Sequence, residues 1–227
     1  MTEMAGFVQQ QGASNGADGS SRTLAANRMG ALVTSSPQAM YDQWLRAGKV
    51  FEGHFATEGG LSTIENNTAI DLTEPFIILS APSSKILVPI KIKVSPAVVW
   101  ETGDEYILYT SDTEAYSAGG NAMDKVNLAA VSSLDSALGT SALAQAWDGE
   151  TPLTAAALTN PRIIDAGHFL TGGLHLPYEY NILKGDPMVM LHGAGSIMLM
   201  IARTTTTVDT LYSVVWAELD KSELVNS

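Results

Sequence analysis

The clearest strand alternation in the chain runs from Ile86 to Val94. Ile86, Val88, Ile90, Ile92 and Val94 take every second position, with Leu87, Pro89, Lys91 and Lys93 between them. Successive side chains of a strand point to opposite faces, so this pattern predicts five aliphatic residues on one face and both lysines on the other. Pro89 brings no N–H to a ladder, which predicts a sheet edge or a bulge there. A second alternation sets Leu211, Ser213, Val215, Ala217 and Leu219 against Tyr212, Val214, Trp216 and Glu218. A third, over residues 49–55, opposes Val50, Glu52 and His54 to Phe51, Gly53 and Phe55.

Shorter strand signals lie at 30–34, 75–80, 106–110, 163–164, 168–170 and 178–183. Ala81-Pro82-Ser83-Ser84 reads as a turn, and Thr102-Gly103-Asp104 as the turn of a hairpin joining 98–100 to 106–110. His192-Gly193-Ala194-Gly195 reads as a second hairpin turn, between 188–191 and 196–202. One helix is expected from Pro37 through Tyr41, Trp44 and Leu45, with Ser36 as its cap and Gly48 as its end. Eight to ten strands and few helices predict an all-β sandwich or barrel, and no repeat of 20 to 50 residues suggests a solenoid or propeller.

Two stretches break the pattern. Residues 9–21 contain no large apolar side chain and have too little to bury to offset the entropy of ordering, which predicts a mobile arm reaching to about residue 25. Residues 112–160 are rich in Ala, Ser, Thr, Gly and Asp and read as a long inserted loop with one short helix around Leu134 and Leu138. A loop of that length is expected to order only against something else, such as a neighbouring subunit. The expected organisation is therefore an arm and docking segment at 1–60, and a β-sandwich body at 61–227 with an insertion at about 112–160.

Charge sharpens this division. Across 227 residues there are 12 basic and 24 acidic side chains, a formal charge of −12. Residues 1–60 hold four basic and five acidic residues, so the body carries −11. Such a balance argues against nucleic acid and anionic membranes as partners and favours solubility at high local concentration. The absence of cysteine excludes disulfides, thiolate metal sites and thiol nucleophiles. The opening residues do not have the form of a signal peptide, and no apolar run approaches the ~18 residues of a spanning helix.

Catalytic signals are sparse. No nucleotide-binding glycine pattern or serine elbow occurs, and Gly193-Ala194-Gly195 sits between strands. Asn66-Asn67-Thr68 matches a glycosylation triplet. Asp165, His168, His175 and Glu179 form a candidate metal constellation, since imidazole with carboxylate suits zinc, iron or nickel. This run resembles the His and Glu ligands of cupin-type jelly rolls, although six residues separate the two histidines where that family has one. Met188, Met190, Met198 and Met200 read as core filling, and Tyr41, Trp44, Trp100 and Trp216 as core or interface residues in preference to sugar platforms. No catalytic, cofactor or metal residue is assigned, and the expectation is a protein that is not an enzyme.

Gly30-Ala-Leu-Val-Thr-Ser followed by Tyr41, Gly48-Lys-Val-Phe51, Phe76-Ile-Ile, Ile86-Leu-Val-Pro-Ile90 and Val215-Trp-Ala-Glu-Leu219 together resemble tailed-bacteriophage virion structural proteins of the auxiliary capsid or head-spike type. The resemblance follows the order of elements over most of the chain and departs at 112–160. It implies a jelly-roll-like antiparallel sandwich, trimeric, attached to a capsid through its N-terminal part, located on the virion and assembled in the host cytoplasm, with other virion proteins as partners and no cofactor. The alternatives are a cupin-like metal enzyme using His168, His175 and Glu179, and a carbohydrate-binding β-sandwich.

Overall fold

A computed structural model describes residues 37–54, 62–64, 69–129, 135–138, 142–144, 153–156, 161–169, 177–203 and 208–221. The expected arm at 9–21, the strand at 30–34, the Ser36 cap and the Asn66-Asn67-Thr68 triplet lie outside these residues. The chain forms two units, Met1–Asp42 and Gln43–Ser227.

Helix α1 (Pro37–Arg46) starts on Pro37, where a missing N–H forfeits no helical bond. It stops as expected at Gly48, whose φ of 70° is the left-handed conformation that favours glycine. The Lys49 N–H donates to the Trp44 carbonyl at 2.9 Å and the Gly48 N–H to that of Leu45 at 3.0 Å, which satisfies the last turn.

Fifteen strands follow among the described residues: β1 (Val50–His54), β2 (Ser62–Ile64), β3 (Ile77–Ser80), β4 (Lys85–Pro96), β5 (Glu105–Ser111), β6 (Tyr116–Ala118), β7 (Asn121–Ala122), β8 (Asp124–Asn127), β9 (Ala142–Ala144), β10 (Thr154–Ala155), β11 (Arg162–His168), β12 (Tyr178–Asn181), β13 (Leu191–His192), β14 (Ser196–Ala202) and β15 (Val208–Asp220). The protein is an all-β antiparallel sandwich. One sheet runs β12-β4-β15-β1-β8, with β13 beside β4 and β2 beside β15; the other runs β11-β5-β14-β3-β9-β7. Residues 50–54, inside the expected docking segment 1–60, are thus a strand of the body, paired with β15 and β8.

The two sheets meet through apolar side chains. Phe76 packs edge-on against Tyr212 of β15, and Tyr106 of β5 lies 4.7 Å from Tyr178 of β12 between ring centroids. Phe51 stacks on Trp216 beneath Gly53, where any Cβ would come within 2.8 Å of both the Trp216 ring and the Met123 sulfur. The opposite face of the six-stranded sheet presents Ile78, Tyr109, Met198 and Met200, which are buried with Ala115, Leu153 and Ala155. Those last residues belong to or flank the small β10-β6 sheet, so Met198 and Met200 are core filling as expected, whereas Met188 and Met190 are half-buried and lie outside any strand.

Three expectations are corrected. First, β4 is an interior strand, and its five aliphatic residues do not share a face. On β15, Val215 pairs with Lys91 but the next residue, Trp216, pairs with Pro89, so Ile90 is an extra residue in a bulge. Ile92 and Val94 pair with Val214 and Tyr212, whereas Ile86 and Val88 pair with Leu219 and Ala217, residues of opposite parity on β15. Of the two expectations for Pro89, the bulge is the one realised: the proline sits at the register break, and on the other side of β4 the ladders of β12 and β13 stop at Lys91 and Leu87. The half of β4 before the bulge is buried on both faces, and only the half after it alternates.

Second, neither expected hairpin forms. Residues 98–100 are not a strand, and Thr102-Gly103-Asp104 instead closes a turn in which the Asp104 N–H donates to the Glu101 carbonyl at 3.1 Å. The turn at 192–195 carries the chain from one sheet to the other, since β13 pairs with β4 while β14 pairs with β3 and β5. Third, the stretch 112–160 supplies strands to this chain's own sheets: β8 to one, β7 and β9 to the other, and β6 and β10 to the covering layer. Its composition hides this, because two- to four-residue strands of Ala, Asn and Thr carry no alternation.

Candidate functional site

The sequence constellation is distributed over two sheets. Asp165 and His168 lie on β11, an end strand of the six-stranded sheet, and His168 Nδ1 stands 3.3 Å from Glu105. Glu179 lies on β12 in the other sheet, where Lys184 Nζ donates to it at 2.7 Å and Asn181 Nδ2 at 3.1 Å. Those two hydrogen bonds hold its carboxyl below the usual range. Between the sheets stand Tyr106 and Tyr178, whose phenols are pushed up first by burial and then by the charge of Asp165. His175 is outside the described residues, among which no three His, Asp or Glu side chains gather as a metal site would require. The aromatic candidates Trp100 and Trp216 are buried, Trp100 stacked on Phe169 at 3.8 Å between centroids.

Two polar clusters that sequence reading missed are built by the fold. Arg203 closes β14 fully buried, with its guanidinium 3.5 Å from both Glu101 and the fully buried Asp104, and 5.8 Å from the centre of the Trp100 ring. Asp104 also accepts from the Glu101 N–H at 2.8 Å, so one carboxylate fixes the 101–104 turn and neutralises the arginine. The second cluster lines a cavity of about 160 Å³ where β1, β4 and β15 end. There Lys85 Nζ donates to Asp220 at 2.7 Å, with Lys49 at 3.9 Å, and this bonding lowers the Asp220 carboxyl. Buried Glu218 accepts from Trp216 Nε1 at 2.9 Å, from the Ala137 N–H at 2.7 Å and from the Ser136 hydroxyl. No sequence motif marks either cluster, because their members come together only through strand pairing.

The remaining polar assembly is the outward face of the seven-stranded sheet. Antiparallel partners share a face, and Phe51, Val214 and Ile92 point inward, so their neighbours point out. One row across five strands reads Glu179, Lys93, Ser213, His54 and Asp124; the next reads Asn181, Lys91, Val215, Glu52 and Val126. The Ser213 hydroxyl donates to Glu52 at 2.6 Å. Leu211, one row further along β15, is 54% exposed. The alternations of Lys91 with Lys93 and of Glu52 with His54 signalled outward residues, while their juxtaposition needed the register.

No protein-family model matches the chain, and neither a curated protein nor a solved structure matches it. Among the described residues no helix is long and apolar enough to cross a membrane.

Proposed function

We propose that the protein is a structural component of a virion, a decoration, cement or spike subunit that associates with a capsid and with other copies of itself. The observation that carries this reading is the strand order. Setting aside the strands of 112–160 and the short β2 and β13, eight strands remain in the chain order β1, β3, β4, β5, β11, β12, β14, β15. The first of these pairs with the eighth, the second with the seventh, the third with the sixth and the fourth with the fifth. The eighth also pairs with the third, and the seventh with the fourth. That is the order obtained when one long antiparallel hairpin is rolled into two sheets, and it supports a jelly roll, an architecture used by capsid, lectin and cupin domains.

Fold alone does not choose among those uses. What favours the structural one is the employment of the ordered carboxylates: Asp104, Glu179, Glu218 and Asp220 each clamp a backbone N–H, a hydroxyl, an amide or a cation. A cupin-like site would need His168 and Glu179 together, and Glu179 lies on the outward face of the seven-stranded sheet, turned away from the sheet that carries His168. A β body with a polar sheet face suits adhesion to a shell.

The test is mass spectrometry of gradient-purified virus particles from cells that express the chain, with elemental analysis of the purified protein. The expected outcome is the protein in fixed stoichiometry with the capsid subunit. Its absence from particles, or stoichiometric transition metal lost on changing His168→Ala, overturns the reading and promotes the enzyme alternative.

A further inference from the structure

The outward face of the seven-stranded sheet carries opposite charges on its two flanks, and we propose that it docks face to face on a second copy of this chain, across a two-fold axis running along β15. The inference stands apart from where the protein resides.

In the sheet order β12-β4-β15-β1-β8, Lys91 and Lys93 lie on one side of β15, and Glu52 and Asp124 on the other. Among the described residues no ion pair joins either lysine to a carboxylate. Strands are spaced about 4.8 Å apart, so Lys91 and Glu52 of one chain, two strands apart, are separated by about 10 Å. A two-fold rotation about β15 exchanges the flanks and keeps the rows. It sets Lys91 over Glu52 of the partner subunit, and Lys93 over His54 of the partner subunit.

Packed sheets stand about 10 Å apart, a gap that an extended lysine and a glutamate close between them. Glu179 would face Asp124 of the partner subunit, but it arrives with Lys184 already bound to it. On the axis itself lie Ser213 and the exposed Leu211, each opposite its own copy, which takes an exposed leucine out of water.

The face is small. Five strands at about 4.8 Å and a depth of about 17 Å give about 400 Å² per copy, below the standard interface size, so the contact is weak in free solution and gains from high local concentration. Its charges lie within reach of screening by salt, with a Debye length of about 10 Å at 0.1 M.

The experiment is sedimentation velocity on the full chain from about 10 to 300 μM at low and high salt, a range matched to a weak interface. The expected result is a monomer–dimer equilibrium that weakens about tenfold or more at high salt. Lys91→Glu and Glu52→Lys should each weaken the dimer about tenfold or more, and the two together, which restore opposite flanks, should recover it. Leu211→Cys places one cysteine in a cysteine-free chain at an exposed site, and a short bis-maleimide should capture it as a species of twice the chain mass. A monomer throughout the range, the trimer that the phage resemblance implies, or a dimer indifferent to the charge exchange overturns the proposal.

Discussion

The phenols of Tyr109, Tyr178 and Tyr180 are the clearest case of side chains whose chemistry is set by burial. Tyr109 donates to the Leu72 carbonyl at 3.0 Å and Tyr180 to that of Pro187 at 2.7 Å, and desolvation pushes all three well above the ordinary value of 10.0. The unfolded chain releases these protons near pH 10 and the folded chain does not. Stability from this source is therefore complete below the unfolded value and is lost as pH rises past it. An alkaline titration followed by phenolate absorbance and circular dichroism should show these three ionising only as the fold is lost, in one cooperative step. A smooth titration of all seven tyrosines near pH 10 with the fold intact would contradict this.

At the scale of elements the bulge in β4 decides which face each side chain takes. Were Ile90 paired in an unbroken ladder, either Ile86 and Val88 or Ile92 and Val94 would change sides. Deleting Ile90 removes the extra residue and keeps the other β4–β15 pairs, so the variant is expected to retain cooperative thermal unfolding; deleting Ile92 brings Lys91 or Lys93 opposite inward Val214 and is expected to cost about 4 kcal/mol or more and to abolish it. The strands β1, β3, β4, β5, β14 and β15 were legible because their alternation or apolar density is local, and α1 because Pro37 and Gly48 punctuate it. The sides taken by Ile86 and Val88 were not legible, since the bulge is a property of the β4–β15 pair. For the same reason Arg203, Asp104, Glu218 and Asp220 gave no sign: each is an ordinary residue until its partner strand arrives. The outward lysines of β4 are legible in its alternation, whereas the acidic flank on the other side of β15 becomes their counterpart only through the register.

For the molecule as a whole, the stretch that sequence reads as an appendage is part of the frame. Residues 124–127 flank β1, residues 142–144 flank β3, and Ala115, Leu153 and Ala155 cover the methionine face of the six-stranded sheet. Replacing 112–160 by a short Gly/Ser linker is therefore expected to abolish near-ultraviolet circular dichroism and cooperative unfolding, where a dispensable loop would leave both unchanged.

The central place of β15 also carries a consequence for the order in which the body can be made. It pairs on one side with β4 and on the other with β1, so until it leaves the ribosome β1 has only β8 beside it and β4 only β12 and β13. Until residue 220 has been synthesised, β1 and β4 each keep one open edge, and pairings this distant in sequence form slowly. The nascent chain therefore passes through a period with open strand edges, in which closure competes with association between chains, and slower translation does nothing to shorten it.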